Sequence, residues 1–133
     1  MSPTFWSSFL FLSNVVHFLI VGYYQYAELF MALFITSIIY RLYDNIYTMI
    51  LDKVAIFAVV FYGGAMLWNK AFSSEKSYAL PFIIGTFVGT GYLYYYGYLH
   101  NEFCFDEDPD VNESTHAFLH FLSSIGHHLI GLL

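Results

Sequence analysis

The chain is organised by where charge is missing: long charge-poor, apolar runs alternate with short polar breaks. An α-helix rises about 1.5 Å per residue, so about 20 apolar residues cross the roughly 30 Å hydrocarbon core of a bilayer. Runs of about that length fall at about 5–24, 26–43, 46–68, 78–99 and 114–132. The expected fold is therefore all-α, a polytopic transmembrane helix bundle of about five spans forming one domain over 1–133. A tight junction at Gln25 predicts a helical hairpin between the first two spans, and Asp44-Asn45 supplies the next turn. Residues 70–76 form a polar loop, and 101–113 form the long one. There is no repeat, low-complexity linker or separate soluble domain.

Composition agrees, because 59% hydrophobic and 11% charged residues cannot cover a chain of 133 residues with a soluble surface. The net charge of −6 is concentrated: six of the ten carboxylates lie between Glu102 and Glu113. That stretch reads as a solvated loop, and no basic patch is present to hold nucleic acid. Cys104 is the single cysteine, which excludes an intrachain disulfide and a cysteine-based zinc site. The opening residues carry no basic segment, and no small-residue cleavage site precedes His17, so the first apolar run reads as a membrane helix rather than a cleaved signal. Lys70 and Lys76 flank one loop and the carboxylates fill the next, which puts the lysines in the cytosol, the amino terminus outside or in a lumen, and the carboxyl terminus in the cytosol. Arg41 and Lys53 fall on the wrong side for this rule unless they belong to a buried site.

Polar groups inside the spans carry the candidate chemistry. His116 and His120 stand one helical turn apart on one face, and imidazoles in hydrocarbon call for a metal, a carboxylate or a neighbouring helix. Counting helical rise from the span ends puts Ser37 and Arg41, Asp52, and His116 and His120 at one depth on three different spans. Side chains at one depth can converge in one cavity. Plainer readings stand beside this one: interhelical hydrogen bonds for the two histidines, and a local ion pair for Arg41 and Asp44. His17, Asn14, His127 and His128 read as contacts between helices or at the interface, and Gly85-x-x-x-Gly89 as a weak close-packing signal.

Several residues together carry a resemblance. They are Leu12-Ser13-Asn14, Glu28, Ser37-Ile-Ile-Tyr40-Arg41, Leu51-Asp52, and His116-x-x-x-His120 at the start of the last span. This set resembles the CREST superfamily, which holds the alkaline ceramidases, the progestin and adiponectin receptors, and lipase-like proteins acting after GPI attachment. The resemblance implies a zinc-dependent membrane hydrolase, with His116 and His120 as metal ligands, Asp52 acting on the zinc-bound water and Ser37 helping to hold the oxyanion. The chain departs from the pattern in having about five spans where the family has seven. It also has Arg41 where the family has its third histidine, and a guanidinium cannot ligate a cation.

Catalytic zinc normally keeps three protein ligands and an open position for water. Two imidazoles leave that set incomplete, with His100 as one candidate to complete it, while Arg41 could take over the metal's charge by pairing with Asp52 or Asp44. Two functions are thus expected. One is a non-catalytic or weakly active CREST-like membrane protein that keeps the polar core as a scaffold or lipid-binding site. The other is a zinc-dependent hydrolase of lipid amides or esters. Both imply membrane lipids as partners, and the missing histidine favours the first.

Overall fold

The computed structural model describes residues 3–73 and 75–133. Among the described residues every regular element is helical, so the chain is all-α. Two short helices, α1 (Pro3–Ser7) and α2 (Leu10–Val21), lead into α3 (Tyr24–Leu42) and α4 (Ile46–Ala71). After the loop come α5 (Leu80–Gly91), a π-helical turn (Tyr92–Tyr96), α6 (Gly97–His100) and α7 (Pro109–Leu132).

Local chemistry accounts for the boundaries. Between α1 and α2 the Ser7 and Ser8 hydroxyls both bond back to the Thr4 carbonyl, at 3.0 and 2.9 Å. Such hydroxyls compete with the backbone ladder, which tightens here to i→i−3 bonds such as Phe9 N to Trp6 O at 3.1 Å. The turn into α3 falls at Gly22-Tyr23 rather than at Gln25. Gly22 takes the left-handed φ of 86° that only glycine adopts cheaply, and the Tyr23 N–H reaches back to Phe18 O at 2.8 Å, closing a Schellman cap. Asn45 caps α4 reciprocally with Thr48. The last helix starts at Pro109, earlier than its apolar run, because Asp108 caps the Asp110 N–H and proline suits the first helical position.

The core is built on α7, which packs against α1, α2, α4 and α5, while α3 packs between α2 and α4. Its buried face, His120, Ser124, His127 and Gly131, advances by three and four residues, as a helical stripe must. Phe11, Phe18, Tyr26 and Phe30 fill the space between α2, α3 and α7, and the Phe18 and Tyr26 rings stack at 4.1 Å. Close approach of α5 and α7 depends on Gly126, where a Cβ would lie 2.5 Å from Thr86 Oγ1; the Gly85-x-x-x-Gly89 face does not provide it, since a Cβ on Gly85 would meet nothing within 4 Å.

The outer surface is apolar. On α4 alone, Ile46, Tyr47, Val54, Phe57, Phe61 and Trp68 are exposed. Exposed apolar surface on that scale marks a surface that is covered by something other than water. Two helical segments are long and apolar enough to cross a membrane, Pro3–Val21 (19 residues) and Ile46–Ala71 (26 residues). Only 33% and 17% of their most apolar windows are buried within the protein, unlike the core helix of a soluble domain.

Candidate functional site

Ser37, Arg41, Asp52, His116 and His120 all line one cavity of about 440 Å³ between α3, α4, α5 and α7. Each arrives by ordinary helical register. Ser37 and Arg41 are one turn apart near the end of α3, Asp52 sits in the second turn of α4, and His116 and His120 share a face of α7.

Ser37 Oγ donates to Asp52 Oδ1 at 2.9 Å, with both side chains buried. The carboxylate is thereby held by the neighbouring helix of its own hairpin. Arg41 does not complete the arrangement in the way its charge suggested. Among the described residues no ion pair within 4.0 Å joins it to Asp52 or Asp44; its guanidinium lies 4.9 Å from the centre of the Tyr40 ring. The physical reason for Asp44 is that α3 ends at Leu42, so the i, i+3 geometry of a continuous helix is lost before Asp44 is reached.

The histidines are oriented by partners remote in sequence. His116 Nε2 lies 2.9 Å from the carbonyl oxygen of Cys104, which can only accept, so Nε2 carries the proton and Nδ1 keeps the lone pair. His120 Nδ1 lies 2.8 Å from Ser7 Oγ. Ser7 has one hydroxyl proton and two acceptors in reach, the Thr4 carbonyl at 3.0 Å and His120 Nδ1, so this contact holds the ring through Nδ1 with either partner as donor. One nitrogen of each imidazole is hydrogen-bonded to the protein, and on His116 the other keeps its lone pair, which is how outer partners prepare metal-binding histidines. A third ligand is missing. Among the described residues no group of three or more His, Cys, Asp or Glu side chains converges to hold a metal ion. His100 is exposed, lies tilted against the Tyr96 ring with centroids 4.3 Å apart and does not line the cavity. The donor set therefore does not fit a three-ligand catalytic zinc.

The loop that presents Cys104 is strained. Phe103 takes a φ of 55°, unusual for a bulky residue, just after Asn101 at 53°. The chain turns so tightly that Glu102 N bonds to Gly97 O at 3.0 Å, and a Cβ on Gly97 would come within 2.3 Å of Glu102 O. Cys104 is buried by this turn, and burial pushes its thiol up to about 11 against the opposing pull of the Lys53 and Arg41 cations.

Sequence reasoning did not assign Lys53 and Tyr94 to the site. Both line the cavity, and the Lys53 ammonium stands 5.1 Å from the centre of the Tyr94 ring. The signal for Lys53 was its disagreement with the charge rule. Tyr94 lies on the π-turn, a feature with no sequence pattern of its own that recurs at functional sites. The remaining polar groups tie the first two helices to α7: Asn14 Nδ2 to Ser124 O at 3.1 Å, Ser13 Oγ with His128 Nε2 at 2.9 Å, and the His17 and His128 Nδ1 atoms at 2.7 Å. The Tyr26 hydroxyl and His127 Nδ1 hydrogen-bond in the core. Compared with protein-family models, curated proteins and solved structures, the chain matches none.

Proposed function

We propose that this chain is an integral membrane protein of about five spans, a divergent relative of the CREST superfamily that keeps a polar intramembrane core and holds a lipid there without hydrolysing it. The spans are the segments 3–21, 24–42, 46–71, 80–100 and 109–132, with the amino terminus outside or luminal and Lys70 and Lys76 in the cytosol. The observation that carries this reading is the shared cavity. Ser37, Asp52, His116 and His120 line it together with a guanidinium, Arg41, at the position where a third metal-binding imidazole is expected. A cation fixed in the protein supplies positive charge where the third ligand of a zinc would stand, and two imidazoles leave the usual three-ligand set of a catalytic zinc incomplete.

One observation favours a second reading, a zinc-dependent hydrolase of lipid amides or esters. The free lone pair on His116 Nδ1 is one ligand atom such an enzyme needs, and His120, bonded to Ser7 through Nδ1, leaves Nε2 as the second candidate. Asp52 would then act as base, and Ser37 would have to release Asp52 before it could donate to an oxyanion.

Elemental analysis of the purified full-length protein separates the two. The lipid-holding reading expects zinc far below one ion per chain. Stoichiometric zinc that survives dialysis and is lost in His116→Ala or His120→Ala overturns it.

A further inference from the structure

The cavity follows one face of α4 from Asp52 and Lys53 through Ile56, Val60 and Gly64 to Leu67, a stripe advancing by three and four residues. Lys53 to Leu67 spans fourteen helical steps, about 21 Å along the axis. Its chemistry changes along that length. Arg41, Lys53, Asp52, Ser37 and the two histidines gather at one end, whereas Phe57, Val60, Gly64, Leu67 and Ile130 line the remainder. A second cavity of about 310 Å³ begins at the same Gly64 and Leu67 and continues past Trp68, Ala71 and Phe72 without a charged or hydrogen-bonding carboxylate, amide or hydroxyl group.

Two further observations bear on what fits. The polar end holds two cations, Arg41 and Lys53, against one carboxyl group, Asp52, whose Oδ1 accepts from Ser37. Neither cation forms an ion pair there within 4.0 Å: Arg41 lies over the Tyr40 ring and Lys53 over the Tyr94 ring, so their N–H donors are not committed to a carboxylate. The side of the cavity is also open. Phe57 and Val60 line it while remaining 52% and 43% exposed, and a Cβ at Gly64 would meet nothing within 4 Å.

From this gradient we infer that the cavity takes an anionic amphiphile, its carboxylate or phosphate headgroup held between Arg41 and Lys53 and its hydrocarbon chain laid along α4 past Gly64 toward Trp68. A guanidinium and an ammonium together present a fork and a point charge to such a headgroup. The chain enters sideways from the bilayer between Phe57 and Gly64. This assignment rests on the lipid-holding reading and adds the headgroup charge and the direction of the tail. A volume of about 440 Å³ lies within the roughly 300–1,000 Å³ usual for small-molecule sites.

The test uses full-length protein, stripped of lipid in a non-ionic detergent, and native mass spectrometry. Oleate is offered against oleyl alcohol, and lysophosphatidate against monoolein, with acetate and inorganic phosphate as chain-free controls. An anionic lipid should bind with an affinity about tenfold or more above its neutral counterpart, a ratio typical of a charged hydrogen bond. Which pair shows it tells carboxylate from phosphate. The variant carrying Arg41→Gln and Lys53→Gln should lose that preference while retaining neutral-lipid binding, and Gly64→Trp should lose both. Equal binding of anionic and neutral lipids, a preference that survives the double substitution, or phosphate alone binding as tightly as the lipid overturns the inference. Neutral binding that Gly64→Trp abolishes, with no headgroup preference, sinks this inference and leaves the lipid-holding reading standing. No lipid binding at all sinks both.

Discussion

Ser37 gives its hydroxyl proton to Asp52 across the α3–α4 hairpin, at 2.9 Å, with each side chain almost fully shielded from solvent. The bond matters more for what its loss would leave than for its own strength, because a buried acceptor without a partner bears the full cost of desolvation. Ser37→Ala should destabilise the protein by about 1–3 kcal/mol. Asp52→Asn keeps an acceptor oxygen for Ser37 and should cost less. Unfolding in mixed micelles of mild detergent and SDS measures both, and an alanine variant as stable as the wild type would contradict this account of the pair.

His116 and His120 are each held through one ring nitrogen, by the Cys104 carbonyl and by Ser7. The carbonyl can only accept, so nitrogen chemical shifts of labelled protein should show His116 protonated at Nε2. Ser7→Ala removes the partner of His120 Nδ1, so the His120 signals should shift or broaden while those of His116 stay in place. His116 protonated at Nδ1 instead is incompatible with its bond to the Cys104 carbonyl.

Arg41 makes no ion pair with Asp52 within 4.0 Å, so Arg41→Gln should change stability by about 1 kcal/mol or less, as for a solvated or weakly paired charge. Arg41→His is more informative. It adds an imidazole to a cavity already lined by His116 and His120 and brings the donor count to three. Zinc titration of that variant should give an affinity well above that of the wild type, and an unchanged affinity would show that position 41 does not face the two histidines closely enough to share an ion.

The proposed topology rests on the charge of the two longest loops. With Cys104→Ser as background, Ser73→Cys and Asp108→Cys should react with a membrane-impermeant maleimide from opposite sides of sealed vesicles. Labelling of both from one side would remove the five-span arrangement and with it the depth at which the cavity is placed.

The all-helical fold was legible because the apolar runs have helical length and are separated by polar breaks. The grouping of Ser37, Asp52 and the two histidines was legible for a related reason: in parallel helices, helical rise turns sequence number into depth. Boundaries set by backbone geometry were harder to see. Gln25 looked like the turn because it is polar, whereas the chain turns where Gly22 can adopt a positive φ. The apolar run of the last helix hid a start five residues earlier, at a capping aspartate followed by proline. Side-chain partners were least legible. Nothing local to His116 or His120 points to the Cys104 carbonyl or to Ser7, because those contacts exist only once α1 and the strained Phe103 turn have packed against α7. Arg41 shows the complementary limit: its charge was evident, but the loss of its local pairing with Asp44 depends on where α3 stops.

The central claim is that this cavity holds a lipid without cleaving it, and a single-turnover assay tests it most directly. Protein at a concentration above that of a fluorescent lipid amide, and in parallel a lipid ester, is incubated in bilayers with and without added zinc, and fatty acid release is followed. The account predicts release no faster in the wild type than in Asp52→Asn, with or without the metal. Zinc-dependent release by the wild type, abolished by Asp52→Asn and by His120→Ala, would contradict it and establish the hydrolase.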